Sequence, residues 1–299
     1  MSKKLFALLF VMLMLCGAAL ADGITVTDMH DREIALDQPA TRIVALTPSD
    51  CEILCAIGCE DALVGRGKYC DYPESISALP VVQSGAETNI EEILALDPQV
   101  VLMSDMSQTE EQAKLLEQNG VKVVISDAND IAGVYTAIRM IGALMAKDDA
   151  AEALIGDMQA TFDEIAAKSE KSGKTIYFEV SPLQWGLWTA GSGTFMDELA
   201  TMCGVTNAFA DISGWQSVSE EQVIERSPDY IVSIAGMGDT AVEEIMGRDG
   251  WSDIGAVKNG RVYNADSNAI SRPGPRLKDA AIELYHFLND DEAEEAPAA

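Results

Sequence analysis

Aromatic side chains that could hold a large ligand occur in segments of this chain expected to be loops. Three of the four tryptophans, Trp185, Trp188 and Trp215, lie there together with Tyr69. Flat aromatic faces bind a large, partly apolar ligand by stacking and by burying its surface. A tryptophan that only fills a core would more often stand within a strand or a helix. The pattern indicates a ligand surface, with the alternative that the tryptophans cover the end of a core.

Polar candidates for ligand contact follow the predicted strands. Arg272 and Arg276 flank a Pro-Gly-Pro segment whose prolines restrict the loop, so both guanidinium groups are held in place, as a binding site requires. Arg276 could instead begin the last helix, which makes Arg272 the better candidate. Ser49 and Gly85 lie in two further loops after strands. Ligands of open α/β sheets lie outside the carboxyl ends of the strands, so all these loops are candidates.

Catalysis and metal binding have little support in the sequence. The only histidines are His30 and His286, and no nucleophile stands beside a base. An exported enzyme remains the alternative from another class. Three cysteines recur at every fourth position, but the helix that carries them should end at Gly58, and a buried cysteine behaves as a small apolar residue. We therefore expect no metal site, and leave open how the cysteines pair: Cys51, Cys55, Cys59, Cys70 and Cys203.

Strands and helices alternate in the first half of the chain. After a hairpin at residues 24–27 and 33–36, apolar runs typical of buried strands alternate with helical segments. This alternation predicts βαβ units and a largely parallel sheet. The predicted strands cover residues 42–46, 63–65, 100–103 and 121–125, and the predicted helices cover residues 50–57, 90–96 and 109–118.

A long helical region separates this half from a second half of the same kind. Residues 131–171 are predicted to be helical, with a break near Lys147. The second of the two helices, about 20 residues and about 30 Å long, would limit hinge motion. The sequence thus predicts an α/β protein of two lobes with mostly parallel sheets and a ligand cleft between them. The first lobe is assigned to residues 22–147, the connecting helix to 148–171 and the second lobe to 172–289, with strands at 175–180, 230–234 and 261–263 and helices at 194–203, 220–225, 241–246 and 277–288.

Two segments, 89–102 and 219–232, share one plan. Each begins with a helix N-cap residue, Asn89 or Ser219, has Glu or Gln three residues later as in a capping box, and runs through a short helix and a proline into an apolar strand. Matched segments in the same order imply two similarly built lobes that face each other. Further pairs flank these segments: Glu52…Gly58 with Glu198…Gly204, and Asn119-Gly120 with Asn259-Gly260.

The first 21 residues are predicted to be a secretory signal peptide. Lys3 and Lys4 precede an apolar run at residues 5–15 and a small-residue cleavage site. That run is too short to span a membrane comfortably. Cys16 leaves a lipoprotein alternative, in which a lipid on this cysteine tethers the protein. The mature chain is expected to be exported, periplasmic or at the cell surface, with no membrane span of its own.

Charge excludes one class of partner. The formal net charge is −29 at pH 7, and removal of a signal peptide containing Lys3 and Lys4 makes it more negative. Such a charge argues against nucleic acid or an anionic membrane surface as partner, and it also helps to keep an exported protein in solution. Residues 290–299 are acidic with few apolar residues, and are predicted to be a disordered tail.

Several of these segments together resemble the helical-backbone substrate-binding proteins of ABC importers, the family that carries ferric siderophores, haem and cobalamin. The resemblance covers residues 22–289 and rests on the order of the motifs and on the lobe–helix–lobe plan. It implies a solute-binding component, not an enzyme, that captures a bulky low-molecular-weight ligand and delivers it to a permease dimer. The segments are TPSDCEIL at 47–54, KYCDYP at 68–73, NIEE at 89–92, WQSVSEEQV at 215–223 and RPGPR at 272–276.

Within that family the chain is most similar to the cobalamin-binding members. Tyr69 and Trp215 match aromatic positions that contact the corrin there, Trp188 matches a phenylalanine, and Arg272 matches an arginine of the same closing loop. A tryptophan that those proteins place near Gly85 is missing here. The resemblance implies cobalamin or another corrinoid, lying flat between the lobes as transported ligand and not as a cofactor. A ferric siderophore or haem is the alternative.

The resemblance also implies a role for two matched glutamates. Family members dock on the permease through one acidic residue in each lobe, which meets an arginine pocket on each permease subunit. Glu91 and Glu221 match those positions. Taken singly, each could also be an acid favoured at a helix N-terminus by the helix dipole.

Overall fold

The computed structural model describes residues 23–105 and 108–289. The predicted signal peptide with Cys16 and the acidic tail at 290–299 lie outside the described residues. The described part begins with an antiparallel hairpin of β1 (Ile24–Thr27) and β2 (Glu33–Leu36), as the sequence predicts. Within it, no helix combines the length and apolar character needed to cross a membrane.

The first lobe is built on a five-stranded parallel sheet in the order β5-β4-β3-β6-β7. The central strands β3 and β6 are buried along their whole length. Near-continuous apolar strands suit a parallel sheet, because helices cover both of its faces. The elements are β3 (Ile43–Ala45), α1 (Pro48–Ala56), β4 (Leu63–Gly67), β5 (Val81–Val82), α2 (Ile90–Ala95), β6 (Val100–Met103), α3 (Glu110–Gln118), β7 (Lys122–Ile125) and α4 (Ile131–Leu144).

One helix, α5 (Asp148–Lys168), follows the first lobe and leads into the second. The second lobe has a four-stranded parallel sheet in the order β10-β8-β12-β13 and a separate antiparallel pair, β9 with β11. Its elements are β8 (Thr175–Glu179), β9 (Trp188–Ala190), α6 (Phe195–Met202), β10 (Thr206–Asn207), β11 (Trp215–Ser217), α7 (Glu220–Arg226), β12 (Tyr230–Ser233), α8 (Ala241–Met246), α9 (Gly255–Lys258), β13 (Val262–Asn264), α10 (Ser267–Ile270) and α11 (Leu277–Asn289).

The predicted fold class is confirmed, and the differences concern short elements. The elements that were not predicted have two to four residues each: β5, β9, β10, β11, α9 and α10. Segments this short show too little periodicity for a strand or a helix turn to be told from a loop. The short strands form because a neighbouring strand pairs with them. The first helix starts at Pro48, two residues before its predicted start, since proline is favoured in the first turn.

The matched segments of the two lobes also share their local structure. Helices α1 and α6 are followed by Gly58 and Gly204, with φ of +74° and +77°. A side chain at Gly204 would place its Cβ 2.2 Å from the backbone oxygen of Glu170, so only glycine fits there. Ser219 forms a complete capping box with Gln222, whereas Asn89 caps its helix without the reciprocal bond.

Contacts between the lobes are extensive. One apolar core runs without a break from the first lobe through α5 into α11. Glu52 of α1 receives hydrogen bonds from Arg272 and Arg276 in the second lobe. Its counterpart in the repeat, Glu198 of α6, accepts a 2.7 Å hydrogen bond from the backbone N–H of Ile131 at the start of α4. The matched glutamates therefore each tie their own lobe to the other.

The five cysteines of the described part are free. Four are buried and Cys55 is half-buried. Cys51 and Cys70 share one acceptor, because both thiols point at the backbone oxygen of Ala45, at 3.9 and 3.7 Å. Their surroundings are apolar, in keeping with a packing role.

Candidate functional site

A cavity of about 380 Å³ lies between the lobes at the carboxyl ends of the first sheet's strands. This volume is within the range of small-molecule sites. Loops after all five strands of that sheet contribute to its wall, and the loop after α10 closes it from the second lobe. The cleft that the sequence predicts therefore exists, at the edge where parallel sheets bind ligands.

Four predicted ligand residues line this cavity: Ser49, Tyr69, Gly85 and Arg272. Tyr69 is 65% exposed, so most of its ring is open to a ligand, and Lys68 Nζ lies 5.4 Å from the ring centre. Ser49 is buried at the N-terminus of α1, where the Pro-Gly-Pro loop approaches it: a Cβ on Gly274 would lie 3.4 Å from the Cβ of Ser49. Gly85 has a φ of +107°, and a side chain there would meet no atom within 4 Å, so the wall is open at that point.

The three loop tryptophans differ in their surroundings, and none of them is part of the described cavity wall. Trp185 and Trp188 are 76% and 43% exposed on the second lobe. Trp215 is half-buried, and its ring lies 5.4 Å from that of Phe195. The backbone N–H of Phe195 donates to the oxygen of Asn129, which does line the cavity, so Trp215 packs behind the rim. A role in ligand contact stays a prediction for all three.

Arg272 lines the cavity and is held by four hydrogen bonds. Nη1 donates to Glu52 Oε1 at 3.1 Å and to Asp71 Oδ1 at 2.7 Å. Nη2 donates to the backbone oxygen of Tyr69 at 3.1 Å and to Asn268 Oδ1 at 2.7 Å. Burial works against ionisation of Asp71, but its bond to Arg272 and the nearby positive charge lower its pKa. Arg272 therefore joins the lobes and fixes the loop of Tyr69, and its contact with ligand stays a prediction.

A carboxyl group is buried directly beneath the cavity. Asp50 is completely buried, and its Oδ2 accepts a hydrogen bond from the Thr47 hydroxyl. Its Oδ1 has no hydrogen-bond partner in the described part of the chain. Burial raises the pKa of Asp50 to about 7. Hydrogen bonds from the hydroxyls of Thr47 and Ser126 lower this pKa in part, and the negative charge of Asp127 raises it further.

Two loops that line the cavity were missed in the sequence analysis. Ser104, Asp105 and Gln108 follow β6, and residues 126–129 follow β7. Both strands were predicted, so the rule that ligands lie at strand ends could have identified these loops. Burial, together with the charge and hydrogen bond of Asp127, raises the pKa of Asp105, and the His30 charge opposes this. Negative charge is thus already concentrated on this wall.

These acids also form the one group of three potential metal ligands found among the described residues. His30 Nε2 lies 2.8 Å from Asp127 Oδ2 and 3.4 Å from Asp105 Oδ2, and the three ligand atoms lie within 4.8 Å of one another. One nitrogen and two carboxylates could hold a divalent cation with water completing its shell. Hydrogen bonds of Asp127 with His30 and with the backbone N–H of Asp105 are enough to hold these three residues together without a metal ion. The expectation that the protein has no metal site stays a prediction.

The predicted docking residues are exposed in the first turns of α2 and α7. Glu91 and Glu221 are both exposed, and hydrogen bonds from its own backbone N–H and from Ser219 lower the pKa of Glu221. Their neighbours are engaged within the protein: Glu92 accepts from the N–H of Gln83, and Glu220 accepts from Trp251 Nε1. The geometry therefore presents Glu91 and Glu221 to solvent.

Comparisons with known proteins agree with this architecture. The family model described as periplasmic binding protein matches residues 43–269. An uncharacterised ABC-transporter substrate-binding lipoprotein of Bacillus subtilis, YvrC, is 33% identical over 275 residues, which is 90% of this chain and 86% of that protein. The vitamin B12-binding protein of Salmonella typhi is 30% identical over 255 residues, 84% of this chain and 91% of that protein.

A solved structure shares both fold and sequence with this chain. The protein from Staphylococcus epidermidis, described as a possible iron-binding (periplasmic solute-binding) protein, is 31% identical with a TM-score of 0.72. The match covers 83% of this chain and 98% of that one.

Two α/β lobes on either side of a cleft, tied by a connecting helix, define a solute-binding protein. The chain belongs to the periplasmic binding protein family. It is the substrate-binding component of an ABC importer, it works with permease and ATPase components, and its place is extracytoplasmic.

Proposed function

We propose that the transported ligand is a corrinoid, cobalamin or a close relative. The observation that carries this is the charge of the cleft. Asp105 and Asp127 line it, and among the described lining residues Arg272 alone is cationic. That charge is matched by Glu52 and Asp71. Haem carries propionate carboxylates and many ferric siderophores are anionic, so an acidic wall disfavours both, whereas the side-chain amides of a corrinoid are neutral. The vitamin B12-binding relative supports the same ligand.

The mechanism of this function is capture followed by presentation. Tyr69 offers an exposed ring on the first lobe, and Trp188 offers a partly exposed ring on the second. The corrin lies flat between them, with Trp185, Trp215 and Arg272 as further contacts from the second lobe. Because a shared core and a helix join the lobes, ligand binding causes only a small closing movement, which scattering with and without ligand would measure.

Delivery proceeds by docking of the loaded protein on a permease dimer through Glu91 and Glu221. Both are exposed, whereas the adjacent Glu92 and Glu220 are engaged within the protein. The protein is not an enzyme in this proposal. Its attachment, free or through a lipid on Cys16, depends on residues outside the described part of the chain.

Visible spectroscopy tests the ligand. The purified protein is incubated separately with cyanocobalamin, with haem and with a ferric chelate, then desalted. We expect the corrinoid spectrum to be retained with the protein. Retention of haem or ferric-chelate colour without the corrinoid would overturn the proposal in favour of the alternative ligands. Chemical conversion of a bound ligand would instead indicate an enzyme.

A further inference from the structure

The strongest unexplained feature of the cleft is the side-chain amide of Gln108. Gln108 lines the cavity and is only 5% exposed. Its Oε1 accepts a 3.1 Å hydrogen bond from the backbone N–H of Ser104. Only the oxygen of the amide can accept from an N–H, so this bond fixes the orientation of the group.

The amide nitrogen of Gln108 is left over. Within the described part of the chain, Nε2 has no hydrogen-bond partner. A buried N–H without an acceptor is costly, and native structures leave few of them. Gln108 as a residue lines the ligand cavity, so a ligand acceptor is the candidate partner for this buried donor.

Hydrogen-bond acceptors stand beside this donor. The backbone N–H of Gln108 donates to the oxygen of Ser104 at 3.0 Å. The N–H of Asp105 donates in turn to Asp127 Oδ1 at 3.1 Å, which holds the Asp127 carboxylate at this wall, and Asp105 Oδ2 lies 3.4 Å from His30 Nε2. Asp105 and Asp127 line the cavity with Gln108. Carboxylates accept hydrogen bonds and repel further negative charge.

A primary amide carries the matching pair of groups. Its carbonyl oxygen accepts from Gln108 Nε2, and its NH₂ group donates to Asp105 or Asp127. A ligand carboxylate could use only the first of these contacts and would add charge to an acidic wall. We infer that Gln108, Asp105 and Asp127 form an amide-reading wall that selects corrinoids with intact side-chain carboxamides over those with carboxylates. This inference rests on the proposed corrinoid function and adds the chemical feature that is read.

Three probes test the selection by calorimetric titration. They are cyanocobalamin, cobinamide, which keeps the amides and lacks the nucleotide, and cobyrinic acid, in which carboxylates replace the side-chain amides. We expect cobinamide to bind within roughly tenfold of cyanocobalamin, and cobyrinic acid to bind weaker by on the order of 100-fold or more. Equal affinity for cobyrinic acid and cyanocobalamin would overturn the inference while leaving the proposed function intact. Failure to bind any corrinoid would overturn both.

Variants of Gln108 assign the effect to this residue. Gln108→Glu keeps the size and removes the donor, and should weaken cyanocobalamin roughly 10- to 100-fold. Gln118→Glu makes the same change at the exposed end of α3, and should leave the affinity unaltered. If Gln108→Glu does not fold, Gln108→Met removes the donor without adding charge, and should also weaken binding. Wild-type affinity in a folded Gln108 variant contradicts the inference.

A change of Asp105 separates recognition from a purely structural role. Asp105→Asn removes one negative charge from the wall while keeping an acceptor oxygen. The affinity for cobyrinic acid should rise relative to that for cyanocobalamin, so the ratio of the two dissociation constants should narrow by roughly tenfold. A structural defect would weaken both ligands in parallel and leave the ratio unchanged, which would exclude the proposed role of Asp105.

Discussion

Glu52 and Arg276 form a two-point ion pair between the lobes. Arg276 Nε donates to Glu52 Oε2 at 3.0 Å and Nη2 donates to Oε1 at 2.7 Å. Arg272 adds a bond to the same carboxylate, whose side chain is only 2% exposed. One buried acid thus pairs with two arginines from the other lobe and helps to position the loop that closes the cleft.

Removing this acid should weaken the whole molecule. We expect Glu52→Gln to lower the free energy of unfolding by about 3–5 kcal/mol, because two largely buried guanidinium groups lose their shared charge partner. Urea unfolding measures the change. Glu164→Gln breaks the exposed pair with Lys168 and serves as control, with little expected loss of stability because solvent screens this pair. Equal losses in the two variants would contradict the structural role of Glu52.

Asp50 should make stability depend on pH. Its pKa is about 7 in the folded protein against 3.8 for the ordinary side chain. Between pH 3.8 and 7 the folded state holds a proton on Asp50 that the unfolded state has released. The contribution of Asp50 to the free energy of unfolding is therefore fully present below about pH 4 and is lost as the pH rises to 7 and beyond. Asp50→Asn should remove the loss and stabilise the protein at pH 8 by roughly 2–4 kcal/mol relative to wild type. Urea unfolding at pH 5 and pH 8 measures this for both proteins. An equal change in unfolding free energy between the two pH values in wild type and Asp50→Asn would show that Asp50 does not titrate in this range.

Two tryptophans should respond differently to truncation. Trp188 is partly exposed, so Trp188→Ala should weaken corrinoid binding by roughly 10- to 100-fold with little change in stability. Trp215 packs on Phe195, so Trp215→Ala should also cost roughly 1–3 kcal/mol in unfolding free energy. Calorimetric binding and thermal unfolding of each variant provide both readings. Unchanged affinity in Trp188→Ala would exclude ligand contact by Trp188 and favour the alternative that it covers the end of the second lobe's core.

Docking should fail without loss of ligand binding when the exposed glutamates are reversed. We expect Glu91→Lys combined with Glu221→Lys to reduce cellular uptake of radiolabelled cyanocobalamin by roughly tenfold. The reason is that the proposed attraction between these glutamates and arginines of the permease becomes a repulsion. Affinity for the ligand in solution should not change. Glu225→Lys, an exposed charge change on the same helix as Glu221, is the matched control. Normal uptake by the double variant would exclude docking through these residues.

Thiol reactivity should follow burial. Burial raises the pKa of Cys203 to about 12, and burial with the charges of Glu60 and Glu52 raises that of Cys55 to about 12. At pH 8 the thiolate fraction of both is very small, so iodoacetamide should modify them slowly in the folded protein. After denaturation without a reductant, all five cysteines beyond residue 21 should be alkylated, as mass spectrometry can show. A missing pair of adducts would indicate a disulfide.

The sequence by itself determined the fold class and much of the cleft. Apolar runs at 43–45, 100–103 and 230–233 needed burial on both faces, which requires parallel strands covered by helices. Loops after parallel strands must meet at one edge of a sheet, and this places Ser49 and Tyr69, which follow the predicted strands 42–46 and 63–65, at the cavity. Gly85 also lies there, but it follows β5, a strand that the sequence did not predict. The matched caps at Asn89 and Ser219 likewise followed from local chemistry, since a capping side chain bonds to a backbone group only a few residues away.

Only the tertiary structure decided how the cleft is charged and tied together. The sequence offers Arg272 as a candidate ligand contact, but only the fold brings Glu52 and Asp71, more than 200 residues earlier, into hydrogen-bond distance of it. His30, Asp105 and Asp127 likewise come from three separate segments. The amide nitrogen of Gln108 finds no partner among the residues that the structure describes. Partners distant in the chain are brought together by burial of a shared core, and local periodicity contains no information about which of them will meet.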